Sequence, residues 1–290
     1  LRALKLLGGG GPVLPTETPY LNAEEQKAGI RLSCQVKVKE NLSIAVPEEL
    51  LSIRELVTTV ERIADLTHDI KGIRFRLAEG ETVRFKAGQY VNLVALPYGD
   101  LKAATSRAYS IASPPSDDRG VELVIRLVPN GICTTWVFEH LRQGMKASLI
   151  GPFGEFWLRD SEREILFIAG GSGLAPIRSI VLDMIDRKSA QRKATFYFGA
   201  VRQRDLYYVE EFQRLAAEHA WFRYVPALSG DETGHPYARG LITEVVARHA
   251  ERFDRHEAYL CGSPGMIDAC IRVLTAKGMP ESLVYYDKFS

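Results

Sequence analysis

Four short stretches bring together residue types that could do chemistry. "RAYS" (107–110) sets a guanidinium, a flat aromatic face and a hydroxyl on one extended segment. Arginine presents a fork of N–H donors that matches a phosphate. Strand alternation puts Arg107 and Tyr109 on one side. "GICTT" (131–135) reads as the start of a helix, whose first amides lack partners and attract anions. "GGSGLAP" (170–176) follows a buried apolar run and precedes a helical one, so the backbone can approach a pyrophosphate there. It is not G-x-G-x-x-G, and a glycine-rich strand-to-helix turn alone is weak evidence. "YLCGSPGM" (259–266) ends a buried strand in Cys261–Gly262, at the edge where open α/β sheets hold ligands. A cysteine is more often a small buried hydrophobe. Its strand-end position singles out Cys261, whereas Cys270, at apolar helical spacing, reads as core. Two anion sites with an aromatic between them suggest a dinucleotide carrying a planar ring.

The elements that must position these stretches change character along the chain. Residues 51–160 are strand-rich: "LVTTVERIAD", "IKGIRFRLA", "YVNLVAL", "VELVIRLV" and "KASLIGP", with glycine, proline and aspartate at the turns. One helical interruption falls at "TTWVFEHLRQG". This spacing predicts a six-stranded antiparallel barrel. Residues 161–290 alternate apolar strands ("EILFIAGG", "ATFYFGAV", "FRYVPALS", "EAYLCGS", "LVYYDKF") with amphipathic helices, which predicts a doubly wound parallel sheet. Residues 1–50 form a smaller unit: a short strand, a Gly/Pro turn, the helical "LNAEEQKAG", then a strand pair "LSCQVKV" and "LSIAVP".

Composition narrows the class. A net charge of +1 with no long basic cluster argues against a nucleic-acid partner. The four cysteines, Cys34, Cys133, Cys261 and Cys270, include no C-x-x-C and do not make a disulfide framework, so a reducing, cytoplasmic setting is expected. The longest apolar run, "ILFIAGGSGLAPI", is broken by glycines and too short to span a bilayer. The chain opens on Leu1 in what reads as mid-strand. A preceding segment with an anchor or a further domain is therefore expected, and with it a place at the cytoplasmic face of the inner membrane, through that anchor or partner subunits.

The ordered set "RAYS", "GICTT", "GPFGEF", "GGSGLAP", "YLCGSPGM" and a C-terminal aromatic resembles the ferredoxin–NADP reductase superfamily across residues 54–290. The resemblance implies an FAD-binding barrel, a nicotinamide-binding α/β domain, and hydride transfer between them. Carried over by position, Arg107 holds the FAD pyrophosphate, with Ala108 beside it. Tyr109 packs on the isoalloxazine and Ser110 lies near its N5. Ile125 and Arg126 line the flavin or adenine side, Ile132, Cys133 and Thr134 cap the pyrophosphate, and Phe289 shields the outer flavin face. Gly171, Ser172, Pro176, Gly199, Gly262 and Met266 border the nicotinamide dinucleotide, and Cys261 sits beside its C4. Ser110 and Cys261 are the pair implied in the hydride step. Arg202 and Arg204 suit a 2′-phosphate, but Asp205 beside them turns the expectation to NADH.

Residues 1–50 resemble the back half of a plant-type ferredoxin (β-grasp) domain, with Cys34 at the fourth [2Fe–2S] ligand position and the first three absent. Residues 1–290 alone therefore cannot ligate that cluster. In domain order, and in "VLPTE", "RLSCQVKV" and "YYDKF", the chain is most similar to the NADH-oxidising F components of Na+-translocating NADH:quinone reductases. It departs at Lys288, where a second acidic residue is expected. The implied function is oxidation of NADH by FAD, then single-electron transfer through a [2Fe–2S] centre to a membrane quinone-reductase partner. The alternatives are the reductase of a soluble oxygenase and a free flavin reductase. A module that keeps flavin without turnover would show degraded motifs, and both "RAYS" and "CGSPG" are intact.

Overall fold

The structure, a computed structural model, describes residues 3–38, 41–45, 53–187, 192–230 and 233–289. Parts of three expected elements (Leu1 and Arg2 of the opening strand, Val46 and Pro47 of "LSIAVP", and Lys188) lie outside the described residues. The chain forms two compact units, Leu1–Ile53 and Arg54–Ser290.

In the first unit, β1 (Ala3–Gly8) is the central strand between β2 (Ile30–Leu32) and β3 (Ser43–Ala45), all antiparallel. Helix α1 (Ala23–Lys27) starts at a capping box, with the Asn22 side chain accepting from the Glu25 amide and Glu25 accepting from the Asn22 amide. A buried ion pair ties the loop to the sheet: Arg31 donates to Glu17 at 2.6 Å, and the Leu32 amide donates to the same carboxylate at 3.0 Å. The expected strand through Cys34 stops at Leu32, and Ser33–Gln35 turn instead.

The second unit opens with six antiparallel strands: β4 (Arg54–Asp65), β5 (Ile70–Leu77), β6 (Tyr90–Ala95), β7 (Thr105–Ser110), β8 (Gly120–Arg126) and β9 (Lys146–Phe153). Their order is β7-β6-β9-β4-β5-β8. The barrel is not fully laced: β7 and β8 are its two edges, and the bridge Ile111–Leu123 joins them at one point. Helix α2 (Ile132–Thr135) runs into a π-helical turn, Trp136–His140, and plugs one end. Trp136, Val137 and Leu141 are buried with Leu93, Ile111 and Leu123 in the barrel core. Truncating a buried tryptophan of this kind costs about 3–5 kcal/mol.

The second half is a parallel sheet of β10 (Glu164–Gly170), β11 (Ala194–Ala200), β12 (Phe222–Leu228), β13 (Ala238–Arg239), β14 (His256–Gly262) and β15 (Val284–Lys288). The order β13-β12-β11-β10-β14-β15 reverses direction between β10 and β14. Strands β10 and β14 are buried on both faces, which explains their continuous apolar sequence. Helix α3 (Leu174–Arg187) buries Leu174, Ile177, Val181 and Met184 at helical spacing. Pro176 falls in its first turn, where a missing N–H costs nothing. Helices α4 (Val209–Glu218), α5 (Ile242–Ala247) and α6 (Pro264–Ala276) complete the layers, and Cys270 is core as its spacing suggests.

Candidate active site

A cavity of about 790 Å³ lies between the barrel and the carboxyl edge of the parallel sheet. It sits at the reversal between β10 and β14, where open α/β sheets bind ligands. Its barrel wall is the open edge of β7, from Arg107 to Ser110, with Val124 and Arg126 of β8 and the turn that starts α2. An edge strand leaves backbone N–H and C=O groups free for a ligand. Its other wall is Gly170–Ser172 after β10, Gly199 at the end of β11, and Gly262 after β14, closed by Met266 and Phe289.

The glycine wall is closed to a side chain at Gly173 by backbone and restricted at Gly171 by its backbone conformation. A Cβ on Gly173 would stand 2.2 Å from the Cys261 carbonyl oxygen, so the turn after β10 rests directly on the end of β14. Gly171 has φ +57°, and its carbonyl accepts a 2.7 Å hydrogen bond from the Tyr207 hydroxyl. Burial pushes that hydroxyl's pKa well up, which keeps it a donor. On the barrel side Asn130 is left-handed at φ +61°, in the turn "PNG". The Thr134 hydroxyl closes this turn, donating toward the Gly131 and Val128 carbonyls at 3.1 and 3.2 Å.

Charge is unevenly spread. The Arg107 guanidinium is exposed and donates to the neighbouring Ser106 carbonyl. Arg126 donates to Asp69 at 2.7 Å. Burial raises the Asp69 pKa, but the hydrogen bonds from Arg126 and Thr67 outweigh it and hold the carboxyl below its ordinary value. His68 stands 3.8 Å from Asp69 and 3.7 Å from Asp205, a contact across the cleft. Burial raises the Tyr109 hydroxyl, so the ring meets the cavity uncharged.

Arg107, Ala108, Tyr109, Ser110, Arg126, Ile132, Cys133, Thr134 and Phe289 of the expected flavin set all border this cavity. So do Gly171, Ser172, Gly199, Gly262 and Met266 of the expected nicotinamide set. Four expected residues do not. Ile125 faces the barrel core, because neighbours on β8 alternate and Arg126 takes the cavity side. Pro176 is buried in the first turn of α3. Arg202 is exposed, and its amide donates to Asp205 at 2.9 Å. Cys261 is buried beneath the wall with Phe167 and Ala169, its thiol pKa pushed well up by burial and then by Asp287. The wall also includes Asp69, Val128, Asn130, Ser229 and Leu241, which the sequence reading passes over. Of these only Asn130 carried a local signal, its "PNG" turn.

The site fits a dinucleotide cofactor facing a second dinucleotide. It offers two amide-rich turns, an aromatic face, exposed arginine side chains and a glycine-rich turn seated on the end of β14. A [2Fe–2S] centre does not fit. It needs four ligands, yet Cys34 is exposed while Cys133, Cys261 and Cys270 are each buried elsewhere. Among the described residues no three His, Cys, Asp or Glu side chains group as metal ligands.

Comparison with known proteins agrees with this geometry. The oxidoreductase FAD-binding domain family matches residues 57–157, and the oxidoreductase NAD-binding domain family matches residues 167–272. The F component of the Na(+)-translocating NADH-quinone reductase of Methylococcus capsulatus is 33% identical over 99% of this chain and 80% of its own length. The corresponding F component of Pseudomonas aeruginosa is 34% identical over 97% and 79%. Among solved structures, the Amycolatopsis cytochrome P450 reductase GcoB superposes with a TM-score of 0.79 at 30% identity, covering 99% of this chain and 86% of that one. The ferredoxin reductase of carbazole 1,9a-dioxygenase gives 0.72 at 26% identity, covering 99% and 85%.

Proposed function

The chain belongs to the family of F components of Na(+)-translocating NADH-quinone reductases, within the ferredoxin–NADP reductase superfamily, and we propose that it passes electrons from NADH to a membrane quinone-reductase partner. It is an FAD- and NAD-binding oxidoreductase. FAD, when bound, accepts a hydride from NADH and can release its electrons singly. The chain's own residues orient and shield. In this reading residues 51–160 hold the flavin and 161–290 the nicotinamide, with 1–50 a partial ferredoxin-like piece. Arg107 and the amides of Ile132–Thr134 take the flavin pyrophosphate, and Ala108 and Tyr109 support its ring. Ser110 provides a hydroxyl at the reacting edge. Arg126 lines the flavin or adenine side, the wall from Gly171 to Gly262 holds the second dinucleotide, and Phe289 shields the outer flavin face until it docks. Cys261, Pro176, Ile125 and Arg202 act from behind the wall or beside it. Asp205, at the rim, favours the ribose hydroxyls of NADH.

The observation that carries this reading is a cavity whose two walls come from the two cofactor-binding families. Among the described residues no helix is long and apolar enough to cross a membrane. In our reading the activity sits at the cytoplasmic membrane face, through partner subunits or an anchor. A soluble oxygenase partner is the second reading, favoured by the 30% identity to a cytochrome P450 reductase along the whole chain.

The test is an anaerobic titration. The chain, loaded with FAD, is mixed with NADH and its visible spectrum recorded. Bleaching of the flavin bands at one NADH per FAD is expected. Retained flavin bands would overturn the reading. Delivery of the electrons to quinone-reductase membranes, rather than to an oxygenase, separates the two partners.

A further inference from the structure

Tyr207 and Tyr208 follow one another after β11, yet their side chains serve opposite walls of the cavity. Tyr207 is buried and its hydroxyl holds the Gly171 carbonyl at 2.7 Å, on the sheet side. Tyr208 leaves in the other direction because its backbone is left-handed, φ +56° and ψ 22°. A non-glycine residue held there costs about 1 kcal/mol or more and persists only where its surroundings require it. The Tyr208 hydroxyl donates to Glu122 on β8 of the barrel. Glu122 alternates with Val124 and Arg126 on one face of that strand, and both of those line the cavity.

The junction around this contact is charged and mostly dry. Arg178 of α3 grips Glu211 of α4 with two bonds, 2.9 and 3.0 Å, and its third nitrogen donates to the Ala112 carbonyl of the barrel at 2.9 Å. The guanidinium lies 4.7 Å from the Tyr208 ring centre and 3.9 Å from Glu122. Glu122 and Arg178 are about a tenth exposed. A second link runs alongside: the buried Ser179 hydroxyl donates to the Ser113 carbonyl at 2.7 Å, and the Ser113 hydroxyl accepts from the Glu122 amide at 3.0 Å. Hydrogen bonds to charged groups in such settings are the strong ones and hold a single geometry.

We propose that Tyr208, clamped between Glu122 and Arg178, is a positioning residue that fixes the separation of the two cofactor walls. The inference rests on the proposed NADH–FAD reaction. None of these side chains borders the cavity, so they act through β8 and the glycine turn rather than by touching a cofactor. Reacting rings must be held within a few tenths of an ångström, and 1 Å of misplacement costs about a hundredfold in rate.

The experiment compares Tyr208→Phe with the unmodified chain, both loaded with FAD. Three quantities are read: the single-turnover rate of flavin reduction by NADH, the dissociation constant for NADH, and the long-wavelength charge-transfer absorbance of the stacked rings. The expected result is a rate loss of about tenfold or more and weaker charge-transfer absorbance, with FAD content kept and NADH affinity within about twofold. An unchanged rate and absorbance would overturn the proposal. So would a rate loss matched by lost NADH affinity, which would make Tyr208 a binding residue. If Tyr208→Phe does not retain FAD, Ser179→Ala, which cuts the parallel link to Ser113 and Glu122, is judged by the same three quantities, and full activity there refutes the proposal that this junction sets the wall separation. Failure of the unmodified chain to be reduced by NADH would instead strike the proposed function.

Discussion

Replacing Gly173 with alanine puts a methyl group against backbone that has nowhere to go. The added Cβ would lie 2.2 Å from the Cys261 oxygen, 2.5 Å from its carbonyl carbon and 2.8 Å from the Gly262 nitrogen. A Cβ essentially never stands within 3.0 Å of such an atom, so the turn after β10 and the end of β14 must part by about 0.8 Å. Gly171 and Gly262 both border the cavity, and the displacement therefore reaches the sheet-side wall of the cavity. Overpacking of this kind costs about 1–3 kcal/mol of stability. The larger effect is on rate: a shift near 1 Å in a positioning element costs about a hundredfold. Stopped-flow reduction of the FAD-loaded G173A protein by NADH is the assay, with flavin content measured beside it. Flavin content is expected to hold while reduction slows by about one to two orders of magnitude. A G173A protein that NADH reduces within about threefold of the normal rate would refute the idea that the β10–β14 contact sets the site.

Three further outcomes are expected. Arg107→Ala removes a charged donor that has no carboxylate partner among the described residues, and a hydrogen bond to a charged group is worth about 1.5–3 kcal/mol; FAD titration is expected to show affinity lower by about 10–150-fold, and equal affinity would remove Arg107 from the flavin site. Asp205→Ser removes a carboxylate that would repel a 2′-phosphate, so the kcat/KM ratio of NADPH to NADH is expected to rise by about tenfold, and an unchanged ratio would place the choice elsewhere. In the first unit, the Arg31 hydrogen bond outweighs burial and lowers the Glu17 pKa from 4.5 to about 2, with the Leu14 and Leu32 amides helping. A depressed folded pKa stabilises the fold above 4.5, and that stabilisation is lost as pH falls toward 2. Calorimetry of the intact chain is expected to show the first unit's transition falling over that window, and Glu17→Gln is expected to lower the transition and flatten its pH dependence; a pH profile unaltered by E17Q would contradict the pairing.

What the sequence made legible was whatever repeats locally. The alternation in "IKGIRFRLA" is β5, the apolar run "EILFIAGG" is β10, and the glycines after it border the cavity. What it hid depends on contacts between distant segments. Asp69 pairs with Arg126, and Tyr208 with Glu122, each across more than fifty residues. No spacing rule encodes such pairs. The open lacing of the barrel was hidden for the same reason: six strands were countable, but the single bridge between β7 and β8 is a matter of register. Cys261 marks the limit of position as a guide. The strand end is where the sequence put it, yet the thiol turns into the core and Gly262 meets the cavity. Cys34 shows the converse: its strand ended two residues before it, at Leu32, leaving it on a turn.

The unequal burial of the four cysteines also sorts them by reactivity. A thiol reacts as its thiolate, which needs access and an unraised pKa. Burial raises the pKa of Cys133, Cys261 and Cys270 and shields all three. Cys34 alone is exposed. A maleimide dye at neutral pH will therefore mark the first unit at one site and leave the cavity unmodified, so the native sequence already carries a handle for fluorescence. Attached there, a dye reports quenching by bound flavin as a direct measure of how near the two units approach in solution.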